Sequence, residues 1–326
     1  MNAQIINCPV CLTACTEPAL YRYTVGEAAE HFCPPTRNLD RNQRLQTAIR
    51  SLWQGETCAI YRCQQCGFGF GHPHVGGDEE FYSILHEQKG YPAWRWDYDF
   101  AVREALAPIG GGRILDIGAG MGLFLRRLPM SWQRYAVESS ESNRIDLEQE
   151  QIQVLRELSS ATKIHTNAFQ VVTMFQVLEH ISEFKSVLDN CHRLLAPTGK
   201  IVITVPDGDA MIRQEKLTGY ADMPPNHINK WTPGSLRQAL DNSGFDVLIT
   251  KFESVRLKSL LGAMHMRVLF DAKTPHSLAA RVYSIQSKQI RAPLVACLGA
   301  LALFRLFPNI VQLMQGGAFG VVAQRR

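Results

Sequence analysis

Residues 111–250 are predicted to form a doubly wound α/β layer. Three observations carry this. Short apolar strand segments alternate with amphipathic helical ones, a pattern that builds a parallel sheet covered on both faces. A glycine-rich turn follows the first of these strands. An acidic residue, Glu138, ends the second, twenty residues after Gly118. A small cysteine-rich module (1–80) and a helical, aromatic linker (81–110) precede this layer. A helical insertion (251–316) follows it, and a last strand (317–326) returns to the sheet.

The chain has 326 residues, which fits about two domains. It is 46% hydrophobic and 20% charged, with a mean hydropathy of −0.11. That composition excludes collagen-like, disordered and multi-span membrane proteins. The net charge of +4 reads as spread over the whole length, too mild for a dedicated DNA or RNA binder. No basic n-region followed by an apolar stretch opens the chain. The longest apolar run, Leu294–Phe304, is about half of the ~20 residues a spanning helix needs. The expected location is the cytoplasm, with peripheral membrane contact as an option.

The elements follow in order. Leu45, Ala48, Ile49 and Leu52 share a face, so Arg41–Trp53 is helical. Residues 79–107 are helical in pieces and rich in aromatic side chains. Pro108 and Gly110–Gly112 break the chain before the layer begins. Arg113–Ile117 is a strand, and Leu123–Leu128 opens a helix. Tyr135–Glu138 and Gln153–Leu155 are strands around a Ser142–Gln149 helix. Phe169–Phe175 is a buried strand, Phe184–Leu195 a helix and Lys200–Val205 a strand. Thr232–Asn242 is a helix with a threonine cap, a proline at its first position and Gly244 beyond its end. Phe245–Thr250 and Gly320–Ala323 complete the set.

Seven of the nine cysteines lie in the first 66 residues. Cys8-Pro-Val-Cys11 and Cys63-Gln-Gln-Cys66 form two C-x-x-C knuckles. Two intervening residues let both sulfurs face one ion, and four thiolates suit a closed, structural Zn²⁺ site. Cys15, Cys33, Cys58 and His31 are alternative ligands, and buried free thiols are the plain alternative. A redox role fits poorly, because neither pair opens a helix after a strand.

Arg113-Ile-Leu-Asp-Ile-Gly-Ala-Gly-Met-Gly122 is the most informative stretch. Its glycines permit a tight turn and close approach of a ligand to the backbone. Glu138 stands where a carboxylate can accept the two hydroxyls of a ribose. The spacing is G-x-G-x-G, not the dinucleotide G-x-G-x-x-G. Asp116 at the strand end would repel a pyrophosphate and attract an ammonium or sulfonium.

This stretch resembles the first motif of class I S-adenosylmethionine-dependent methyltransferases. Phe169–His180, Leu194–Gly199 and Pro225–Leu236 resemble later segments of the same family, so the likeness covers roughly 105–250. It implies a seven-stranded Rossmann-like sheet and transfer of a methyl group to a small-molecule or saccharide-type acceptor. Several members of the wider group carry an N-terminal zinc module. Carried over by position, Asp116 and the Gly118 carbonyl would hold the methionine ammonium. Gly120 and Gly122 would admit the cofactor, Glu138 would hold the ribose, and Glu157 would lie near the adenine. Gln176 would form part of the cofactor wall. His227 and His180 compete as catalytic base. Relatives that methylate quinones bind a metal through Glu-x-x-Glu-His, but here Gln176 replaces the first acid. The aromatic segment Tyr91–Trp96 either covers the cofactor or packs between domains.

Pro293–Met314 is apolar nearly all round. Buried core, a homodimer interface, membrane-surface contact and binding of a lipid-linked acceptor are its expected uses. An RNA methyltransferase with a zinc ribbon and a non-catalytic binding module are the rival readings of the whole chain.

Overall fold

The computed structural model describes residues 6–85, 87, 95–218, 223–254, 257–272, 274–285, 287–306, 308 and 316–326. Tyr91–Trp94 of the aromatic segment, and residues 307 and 309–314 of the C-terminal apolar segment, lie outside them. Contacts divide the chain into two units. The first comprises Met1–Pro206, Met223–Lys251 and Phe319–Arg326. The second comprises Asp207–Asp222 and Phe252–Ala318. Residues 207–222, read from sequence as part of the core layer, thus group with the helical insertion.

The first unit opens with strands β1 (Ile6–Asn7), β2 (Ala14–Cys15) and β3 (Tyr21–Thr24). Helices α1 (Val25–Phe32) and α2 (Leu39–Trp53) follow. Thr24 and Glu27 form a capping box on α1, and Asn38 caps α2, which explains both starts. Strands β4 (Thr57–Arg62) and β5 (Gly69–His72) and helix α3 (Glu79–Leu85) come next.

The core runs α4 (Trp96–Ala101), β6 (Gly112–Ile117), β7 (Trp132–Val137), α5 (Glu141–Gln149), β8 (Gln153–Leu155) and α6 (Leu158–Ile164). It continues with β9 (Phe169–Phe175), α7 (Phe184–Leu194) and β10 (Leu195–Pro206). After α8 (Gly208–Thr218) come β11 (Asn229–Lys230), α9 (Pro233–Asn242) and β12 (Phe245–Phe252). Helices α10 (Leu257–Ala272), α11 (Leu278–Tyr283) and α12 (Lys288–Leu306) precede β13 (Ala318–Arg325).

The seven-stranded sheet has the order β12-β13-β10-β9-β6-β7-β8. Its last strand inserts between β10 and β12. The four pairs from β10 through β8 are parallel. Strand order reverses between β6 and β9, which places a crevice at the carboxyl ends of these two strands.

One expected element differs. Leu123–Leu128 holds only a single 3₁₀ turn, Leu125–Arg127. Leu128 is extended because Pro129 follows it, and a residue before proline is held out of helix.

A second, four-stranded sheet has the order β11-β5-β4-β3, antiparallel throughout. Its edge strand β11 comes from far along the chain. Phe68 of this region stacks 4.5 Å from Trp231 and 5.8 Å from Phe184. All three are buried in the same apolar cluster as Cys8, Cys63 and Phe169. Each such aromatic contributes on the order of 2 kcal/mol, so the cysteine-rich segment is anchored in the main core.

In the second unit, α10, α11 and α12 share a small apolar cluster centred on Val268, Ala279 and Ala302. Among the described residues, no helix is long and apolar enough to cross a membrane.

Candidate active site

The loop after β6 is built from residues that can take positive φ. Gly118, Gly120 and Gly122 have φ of 73°, 55° and 70°. A Cβ on Gly118 would lie 2.6 Å from Val177 Cγ2, so a side chain there would push against the turn after β9. This close approach joins the ends of β6 and β9 around the crevice.

Glu138, one residue beyond β7, is 7% exposed. One carboxylate oxygen accepts the Gly120 N–H at 2.7 Å, and the other accepts the Ser140 N–H at 2.8 Å. Each oxygen keeps lone-pair capacity for a further donor. The loop and the carboxylate therefore hold each other in place.

Asp116 lies inside β6 and is buried. Thr173 of β9 donates to its Oδ1 at 2.7 Å. Burial pushes its carboxyl up to about 7, opposed by the Thr173 bond and Arg95 and reinforced by Asp97 and Glu138. A buried carboxylate with two acidic neighbours favours a cation close by.

Asp97 escaped the sequence reading. It is 1% exposed, and burial raises its carboxyl above the usual range. It pairs with Arg95 at 3.1 Å and accepts the Thr204 hydroxyl at 3.2 Å. Gln176 Nε2 in turn donates to Thr204 Oγ1 at 3.4 Å, with Gln176 at φ 58°. The signal was available: Asp97 shares the buried helical stripe with Phe100 and Ala101. A charge on an apolar stripe is a functional hint.

Glu157 is exposed at the start of α6, two residues past β8, and accepts the Ser159 hydroxyl at 3.2 Å. It does not join the Asp116–Glu138 group through any described hydrogen bond.

His180 and His227 come together, their ring centroids 4.7 Å apart. The ligating atoms of Glu179, His180 and His227 all lie within 4.8 Å of one another. His180 ends the short 3₁₀ turn Leu178–His180 that follows Gln176. Its Nδ1 is 2.6 Å from the Asn226 carbonyl. A carbonyl only accepts, so Nδ1 carries the proton and Nε2 of the neutral ring is the basic nitrogen. Nε2 stands 3.9 Å from the fully buried Glu179 carboxylate, which would stabilise an imidazolium. Asn229 secures this turn. Its amide donates to the Leu178 and Ile181 carbonyls at 2.9 and 2.7 Å, and His74 bonds its oxygen at 2.8 Å.

The four knuckle cysteines also meet. Cys8 and Cys66 sulfurs are 3.6 Å apart, and those of Cys11 and Cys63 are 3.4 Å apart. All four lie within 4.8 Å of one another. Tetrahedral Zn–S bonds of about 2.3 Å set sulfurs about 3.8 Å apart, so the spacing fits such an ion. Each knuckle occupies a turn closed by a backbone bond: Cys8 N–H to Thr13 O, and Cys63 N–H to Phe68 O. Cys15 sits close enough to feel Cys63, Cys8 and Cys11, and burial raises its thiol to about 11.

Residues 93–249 match the family model of a methyltransferase domain. Among curated proteins, the chain is 24% identical over 143 residues to a ubiquinone biosynthesis O-methyltransferase of Chelativorans sp. (strain BNC1). That alignment covers 41% of this chain and 54% of that protein. A protein of the same name from Glaesserella parasuis serovar 5 (strain SH0165) is 29% identical over 97 residues, covering 29% of this chain and 41% of its own. The chain spans about half the length of the curated relatives it matches. A solved S-adenosylmethionine-dependent methyltransferase from Archaeoglobus fulgidus aligns with TM-score 0.45 and 17% identity, covering 76% of this chain and 100% of that one. The family match spans the segments that carry Asp116, Glu138, Gln176 and His180, and residues 93–249 carry a methyltransferase domain.

Proposed function

We propose that this chain transfers a methyl group from S-adenosylmethionine to a small-molecule or saccharide-type acceptor, and that Cys8, Cys11, Cys63 and Cys66 hold a structural zinc ion. The observation that carries the reading is the acid pair over the glycine loop. Glu138 is clamped by two backbone amides with lone pairs to spare for ribose hydroxyls. Asp116 is buried beside it, suited to the ammonium of the methionine moiety. Gly120 lets the cofactor approach the loop, Gly122 makes room for Leu147, which a Cβ there would meet, and Gln176 follows β9 as part of the wall.

The cofactor, when bound, supplies a methyl group on a positively charged sulfur, already a strong electrophile. The protein's work is to orient, exclude water and handle the acceptor's proton. The names of the relatives favour a hydroxyl acceptor. His180 Nε2 then takes the hydroxyl proton, Asn226 fixes the ring's tautomer, and Glu179 balances the charge that forms. His227, stacked beside His180, contributes to the acceptor pocket.

A small acceptor is favoured over RNA by charge. Outside 252–318 the chain carries 26 basic and 28 acidic residues, a poor match for a phosphate backbone. The test is incubation with S-adenosylmethionine labelled in its methyl group, together with catechol-type and sugar acceptors and total RNA. Label in a small-molecule product supports the reading. Label in RNA alone, or none with any acceptor while the cofactor binds, contradicts it. Metal analysis should find about one zinc per chain.

A further inference from the structure

The net charge of +4 is not spread evenly. Residues 252–318 hold eight basic and two acidic residues, a net +6, and the rest of the chain carries −2. The same segment carries eight of the sixteen exposed large apolar side chains found among the described residues. Both excesses fall in about a fifth of the chain.

Helix α12 shows how they combine. Val295, Leu298 and Ala302 turn inward onto Val268 and Ala279. A flank about 110° round the helix from that inward face repeats at 290, 294, 297, 301 and 304, a four-three spacing that forms one stripe. Ile290, Leu294, Leu301 and Phe304 on it are 55, 39, 61 and 80% exposed, and Cys297 is exposed as well. A surface helix ordinarily sets a polar face to solvent. Between 293 and 304 this one carries no charged or amide side chain, and it is not long and apolar enough to span a bilayer.

We propose that the outer face of α12 docks on an anionic lipid surface. Apolar side chains enter the headgroup–acyl boundary while flanking cations meet lipid phosphates. The helix sequence holds three basic residues and no acid between 288 and 306; of these Lys288 is exposed, while Arg291 lies on the inward side and donates to the Ile285 carbonyl at 3.1 Å. That charge pattern disfavours the other occupant of such a stripe, a second copy of the chain. Paired helices need opposite charges beside the seam, and two segments of +6 repel. The inference stands apart from the acceptor's identity and from the catalytic roles.

The test is flotation of the full-length protein with phosphatidylcholine vesicles, alone or with about 30 mol% phosphatidylglycerol, at low and high salt. Flotation with the anionic vesicles, weakened by salt, is expected. Leu301→Asp with Phe304→Asp should lower the bound fraction at least about tenfold. Both positions are exposed, so the variant's thermal unfolding should match that of the wild type. Lys288→Glu, at an exposed position, should weaken the salt dependence. Absence of flotation, or equal flotation of the Asp variant, overturns the proposal. So does a concentration-dependent dimer that Leu301→Asp dissolves in protein that ignores vesicles.

Discussion

The two larger sheets of the first unit hold their polar centres by opposite means. The parallel sheet presents Asp116 and Glu138 from consecutive strands, joined by the connection 118–131. The antiparallel sheet brings His74 and the Asn229 pin together across more than 150 residues of chain, and the cysteine knuckles meet from the β1–β2 and β4–β5 turns. The first centre is written in one contiguous motif. The Asn229 pin exists only after long-range pairing of β5 with β11. A local centre should tolerate loss of the distant one in folding, while the distant centre should fail as a whole.

The largest effect expected is on the cysteine centre. Removing the metal with a strong chelator, or Cys63→Ser, should lower the thermal midpoint by more than about 10 °C, since structural zinc contributes on the order of 10 kcal/mol. An unchanged midpoint would separate the cysteines from the stability of this sheet.

Next comes the histidine turn, which both sheets support. His180→Gln should lower turnover of a hydroxyl acceptor by about 10²–10⁴ and abolish the rise of rate with pH, with cofactor affinity kept. If His227→Gln does this and His180→Gln does not, the base is His227.

Asn229→Ala leaves two backbone carbonyls and His74 without the amide. A loss of about 2–4 kcal/mol in denaturant unfolding is expected. A small loss would mean that the two sheets are joined by packing alone.

The smallest effect concerns Asp116. Its folded carboxyl titrates near 7, above the unfolded value of 3.8, because of burial. The folded protein therefore binds the extra proton between these values, and stability falls as pH rises through 7. Between pH 6 and 8 this amounts to about 1.4 kcal/mol in cofactor-free protein. Asp116→Asn should remove that slope from the difference between the two unfolding curves. Identical slopes would contradict the burial argument.

How much was legible follows the same division. Phe169–Phe175 and Gln153–Leu155 were readable to the residue, because their apolar runs are bounded by turn residues. The Thr232 cap and Pro233 announced α9. Glu138, Asp116 and the three glycines were readable because two consecutive strands and the connection between them place them. The four-stranded sheet was not. Asn229 and Lys230 are two polar residues in a loop-like stretch, and only pairing with Phe70 and Gly69 makes them a strand. Asp97 was hidden by its aromatic neighbours. The meeting of His180 with His227 is set by the path of the chain from β10 to β11, which no periodicity announces.

The most direct test of the central claim is calorimetric titration of S-adenosylmethionine and S-adenosylhomocysteine into the zinc-replete protein, with Asp116→Ala and Glu138→Ala alongside. Micromolar binding by the wild type, weakened at least about tenfold in each variant, is the predicted result. A folded wild-type protein that binds neither compound would contradict the account.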